Sequence, residues 1–89
     1  MNFGQAIEKL KEGKTVRRDG WNGKGMFLAL AYPSYQDSKV SQIILFNHKF
    51  KDVASELENF IVMKTATNTL VPWLASQTDM LSEDWELAE

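Results

Sequence analysis

The side chains able to do chemistry in this chain are few and poorly grouped for catalysis. One histidine, His48, stands in Phe46-Asn47-His48-Lys49-Phe50 with no serine or acid beside it, and there is no cysteine. A lone histidine in a turn is more often a surface residue than a base, and without thiols only carboxylates remain to hold a metal. Glu83, Asp84 and Glu86 are spaced like a solvated strand end rather than a calcium loop. No catalytic residue, metal site or cofactor is expected, and the chain reads as a non-enzymatic binding protein.

Binding chemistry is better represented. Gly20, Gly23 and Gly25 match neither the dinucleotide fingerprint nor the P-loop. They suit a turn, since Asn-Gly and closely spaced glycines supply positive φ, and such turns also let backbone N–H groups approach an anion. Trp21 lies among these turn residues, and Trp73 follows Pro72. Each ring offers a flat face for stacking a base, worth about 1–3 kcal/mol. Each would equally fill a small core. Ser76-Gln77-Thr78-Asp79 sets hydroxyls, an amide and a carboxylate in succession. Such groups read ribose hydroxyls and base edges, and they also cap helices. Trp85 belongs to a strand-like terminus and is assigned to the core.

The elements that must position these residues follow from periodicity and turn chemistry. Phe3, Ala6, Ile7 and Leu10 line one face of a helix over residues 2–11, with Asn2 as cap and Gly13 as left-handed terminator. Strands are predicted at 15–17, 26–31, 43–46, 60–64, 70–71 and 85–87. Pro72 confines its strand to an edge or an end. Residues 32–42 read as a loop, 51–58 as a short helix or an irregular stretch, and 76–81 as a loop or a single helical turn. The expected fold is α+β, one domain over 1–89, with an N-terminal helix on a mainly antiparallel sheet of about five strands.

Size and composition bound the rest. A domain of 89 residues buries only about 60–65% of its unfolded surface, so its stability is marginal unless supplemented. The runs Phe27–Ala31, Ile43–Phe46 and Phe60–Met63 are continuously apolar, as in strands covered on both faces. One convincing helix covers one face, which predicts that a second copy covers the other in a homo-oligomer. The net charge of −2, with acids and bases mixed, gives no groove for a nucleic-acid backbone. No stretch reads as a signal peptide or a membrane span, so a soluble protein that stays where it is made is expected.

Two groups of motifs carry a resemblance. Phe3-Gly4-Gln5-Ala6 through Lys11-Glu12-Gly13-Lys14 and Arg17-Arg18-Asp19-Gly20-Trp21-Asn22-Gly23-Lys24 form the first. Met63-Lys64-Thr65-Ala66, Val71-Pro72-Trp73-Leu74-Ala75-Ser76-Gln77-Thr78-Asp79-Met80-Leu81 and Glu83-Asp84-Trp85-Glu86 form the second. Together they resemble the second Thoeris anti-defence family of phages and prophages. The resemblance implies a molecular sponge in the cytoplasm of the infected host, which binds a cyclic ADP-ribose isomer of the glycocyclic type without cleaving it. It also implies a homotetramer with pockets between protomers, and in some relatives uptake of cyclic dinucleotides.

Carried onto this chain, the resemblance implies that Trp21 and Trp73 stack on the adenine or bracket the ribose. Asn22, Gln77, Thr78 and Asp79 would supply hydrogen bonds. Lys64, or backbone N–H groups near Gly23, would meet the pyrophosphate. Two rival readings stand beside this one: a phosphodiesterase acting on the same messenger, and a structural or protein-binding module that uses its apolar strands as an interface.

Overall fold

A computed structural model describes residues 1–21, 25–31, 35–36, 39–40 and 58–88. The expected strand at 43–46, the undecided segment at 51–57, and Asn22 and Gly23 lie outside the described residues.

The chain begins with helix α1 (Phe3–Lys11). Its start is a capping box: the Gln5 N–H donates to Asn2 Oδ1 at 2.8 Å, and the Asn2 N–H donates to Gln5 Oε1 at 2.9 Å. Two otherwise orphaned donors are thereby satisfied. The helix ends at Gly13, whose φ of 86° lies in the left-handed region, and the Lys14 N–H closes back on the Lys9 carbonyl at 3.1 Å. Ala6 and Leu10 are buried, as the periodicity requires.

The strands are β1 (Val16–Arg18), β2 (Phe27–Ala31), β3 (Tyr35–Gln36), β4 (Lys39–Val40), β5 (Phe60–Lys64), β6 (Leu70–Pro72) and β7 (Trp85–Leu87), with the short helix α2 (Gln77–Leu81) between β6 and β7. Five of them form an antiparallel sheet in the order β6-β5-β2-β1-β7. The fold is α+β, as expected. Pro72 sits on the edge strand β6, where a missing N–H interrupts no central ladder. The stretch read as a loop holds the β3–β4 pair instead. Each partner is two residues long, too short for alternation to show in sequence.

Register decides which side chains meet. Val16 pairs with Leu28, Leu28 with Met63, Leu30 with Ile61, and Arg18 with Trp85. Cross-strand partners share a face, so these residues all point toward α1, which packs across β1, β2 and β7. The buried core there is Ala6, Leu10, Val16, Leu28 and Trp85. Burying the Trp85 ring removes about 150–250 Å² from water, an upper contribution of about 4–6 kcal/mol.

On the opposite face Phe27, Ala29, Ala31 and Val62 are half-buried, while Phe60 and Leu70 are exposed. Among the described residues no helix packs on that side. Among the described residues, the apolar strands β2 and β5 therefore lie under a single helical layer. No described helix is long and apolar enough to cross a membrane.

Candidate functional site

The site is assembled around Trp85. Its indole lies at the centre of an aromatic group: the Trp21 ring meets it edge-on at 5.5 Å and 78°, and the Trp73 ring at 6.1 Å and 84°. Phe3 from α1 tilts against Trp85 at 5.5 Å and against Trp73 at 6.2 Å. Edge-to-face contacts of this kind are the favoured geometry for aromatic quadrupoles. Trp21 and Trp73 are each half-buried. One part of each ring is held by packing and another part meets solvent.

Arg18 organises the polar side. Alternation along β1 sends Arg17 outward, where it pairs with Glu86 at 2.9 Å across the strand couple, and turns Arg18 inward. There its Nε donates to Asp84 Oδ1 at 2.9 Å and its Nη1 to Asp79 Oδ1 at 2.9 Å. The Arg18 side chain is 15% exposed and that of Asp79 13%, so this pair is shielded, while Asp84, at 33%, is the solvent-facing member. Hydrogen bonds to Asp84, then Asp79, raise the Arg18 pKa further above its ordinary value. The Arg18 guanidinium holds the Asp84 carboxyl below the usual range. For Asp79, burial pushes upward, but hydrogen bonds from Arg18 and Ser76, with a smaller one from the Trp21 indole, outweigh it and the net shift is downward.

Asp79 has a second task. Its Oδ2 accepts from the Ser76 N–H at 3.1 Å, and its own N–H donates to Ser76 Oγ at 3.0 Å, a reciprocal cap on α2. Both carboxylate oxygens are thus engaged within the protein. Gln77 and Thr78 occupy the first turn of α2 and are exposed. Lys64 lies elsewhere: its Nζ donates to the Gly25 carbonyl at 3.1 Å and stands 5.8 Å from the centre of the Phe27 ring.

Trp21 and Gly25 flank a cleft of about 220 Å³ that is also lined by Arg17, Arg18, Met26 and Glu86. Of the residues implicated by sequence, the structure brings Trp21, Trp73 and Asp79 together around Trp85 and Arg18. It sets Gln77 and Thr78 on the adjoining helical turn, and Lys64 beyond Gly25. Sequence reasoning missed Arg18 and Asp84. The available signal was parity: Arg18 is two residues from the core residue Val16 on the same strand, so its charge needs an acidic partner inside.

The result is a helix-backed antiparallel sheet with an aromatic cluster beside an arginine that grips two carboxylates. The family profile of the Tad2-like, Thoeris anti-defense 2-like, domain matches residues 1–88. The chain belongs to that family, and membership supports a phage anti-defence role. It is also similar to the protein described as Thoeris anti-defense 2 of Bacillus phage SP01, with 44% identity over 89 residues that cover 98% of this chain and 93% of that protein.

Proposed function

We propose that this chain is a sequestering protein that captures a cyclic ADP-ribose isomer of the glycocyclic type in the cytoplasm of the infected host and releases it unaltered. The observation that carries this reading is the placement of Trp21 and Trp73 on two sides of Trp85, each half-buried. Rings fixed in this way offer stacking surfaces without an ordering cost at binding. The exposed Gln77 and Thr78 stand on the next turn of chain as hydrogen-bonding groups.

The guest-binding pocket is shared between protomers of a homo-oligomer, a tetramer in this reading. The cleft beside Trp21, about 220 Å³, is smaller than the roughly 300–1,000 Å³ of ordinary ligand pockets. A second protomer supplies the missing wall. The half-covered back face of the sheet gives apolar area for that association.

Sequestration is a contest of affinities. Lowering free messenger tenfold against an equal amount of effector takes a preference of about 1.4 kcal/mol. In this reading no bond in the guest is broken. The test is direct: glycocyclic ADP-ribose mixed with the protein is expected to vanish from the filtrate and to return intact on heat denaturation. Recovery of a linear product would make the protein an enzyme.

A protein-binding module has one observation in its favour. Leu74 and Leu81, beside and within α2, are 92% and 79% exposed. That reading predicts no heat of binding on titration with glycocyclic ADP-ribose.

A further inference from the structure

Trp21 lies outside every strand, in the connection between β1 and β2, so no ladder of sheet hydrogen bonds fixes its ring. The turn that carries it is held by main-chain bonds and by one carboxylate that leads back to Arg18. The Asp19 N–H donates to the Asp84 carbonyl at 3.0 Å, the Gly20 N–H to Asp84 Oδ2 at 2.9 Å, and the Trp21 N–H to the Arg18 carbonyl at 3.2 Å. The turn rests so closely on the Asp84 carboxylate that a Cβ on Gly20 would stand 2.9 Å from Oδ2. That carboxylate is in turn held by Arg18 Nε and Nη2. The remaining Nη1 reaches Asp79, whose carbonyl accepts the Trp85 indole N–H at 2.9 Å.

We infer that Arg18 is a positioning residue for the binding site: by bridging Asp84 and Asp79 it fixes the Trp21 ring against Trp85 and sets its distance from the Trp73 segment. The role in binding rests on the sequestration reading above, whereas the hold on Trp21 does not. Arg18 borders the cleft beside Trp21, but its Nε, Nη1 and Nη2 each already donate to a carboxylate and its side chain is largely shielded, so the role inferred for it is to act through Trp21. The planar fork matters as well as the charge. An ammonium is a point donor and does not match two carboxylates set at fixed angles.

The experiment uses protein labelled with 5-fluorotryptophan, its resonances assigned through single Trp→Phe variants, together with calorimetric titration of glycocyclic ADP-ribose. Arg18→Lys keeps the charge and loses the fork. Gly20→Ala keeps Arg18 and displaces the Asp84 carboxylate from the turn. Each is expected to retain the far-UV circular dichroism of the fold, to shift or broaden the Trp21 fluorine signal more than that of the buried Trp85, and to weaken binding at least tenfold.

A folded Arg18→Lys or Gly20→Ala protein with an unmoved Trp21 resonance overturns the inference, as does a moved resonance with unchanged affinity. If Arg18→Lys fails to fold, Gly20→Ala alone decides. An unsubstituted protein that ignores the nucleotide sinks the sequestration reading instead, and the fluorine spectra still settle whether Arg18 holds Trp21.

Discussion

The Trp85 indole donates its N–H to the main-chain carbonyl of Asp79 at 2.9 Å. The largest ring of the core is thereby tied to the residue whose carboxylate Arg18 grips. Apolar packing and charge pairing converge on one short stretch of chain.

Removing the guanidinium leaves the shielded Asp79 carboxylate and the more exposed Asp84 carboxylate without their cation. Arg18→Ala is expected to cost about 1–3 kcal/mol of stability, chiefly through the stranded Asp79. Urea unfolding followed by far-UV dichroism measures this. Combining it with Asp84→Asn should cost less than the two single losses added together, since the second change removes a charge that the first left unpaired.

The two acids also set an acid limit. Asp79 and Asp84 both have lowered pKa values in the folded protein, so the unfolded chain binds more protons as pH falls. Their contribution is complete above the ordinary carboxylate range, about pH 4–5, and is lost as pH drops through the depressed folded values. The melting temperature should be level near neutrality and fall below about pH 4, and Asp84→Asn should flatten that fall.

Trp73 tests the double use of a ring. Trp73→Ala loses the contacts to Phe3 and Trp85 and is expected to lower stability by about 2–3 kcal/mol, less than for a fully buried ring. Binding of glycocyclic ADP-ribose should weaken about 5- to 150-fold, in line with a stacking contribution of about 1–3 kcal/mol. Subunit count by light scattering should not change. Disassembly of the oligomer would assign the ring to the core alone.

The back face of the sheet gives a fourth expectation. Phe60 and Leu70 are 36% and 69% exposed in the protomer, so charging both as Phe60→Asp with Leu70→Asp should cost the monomer little, about 1 kcal/mol. Sedimentation velocity should then show a smaller species than the unsubstituted protein if protomers meet through this face. An unchanged sedimentation coefficient places the interface elsewhere.

Much of the scaffold was readable because local chemistry and burial agree there. Asn2 and Gly13 bound α1 as their side chain and backbone preferences require, Pro72 marks an edge, and Trp85 fills the core. The β3–β4 pair escaped because two-residue strands carry no period. In the site, Trp21 and Trp73 were identifiable as special, but their shared support on Trp85 is a long-range contact that spacing does not encode. Asp79 shows the same limit. Sequence alone allows it to be a cap or a ligand contact, and the structure commits its oxygens to Ser76 and Arg18. Arg17-Arg18 reads as one basic pair until strand parity sends the two side chains to opposite faces.

The strand order brings β7 beside β1, joining residues such as Arg18 and Asp84 that are 66 positions apart. Pairings this distant form late and slowly, because the intervening chain must be closed before they yield any stabilisation. A partly folded chain therefore has neither a seated Trp85 nor a gripped Trp21. A molecule thus carries the whole arrangement of Trp21, Arg18, Asp84 and Trp85 or none of it, and only finished copies present it.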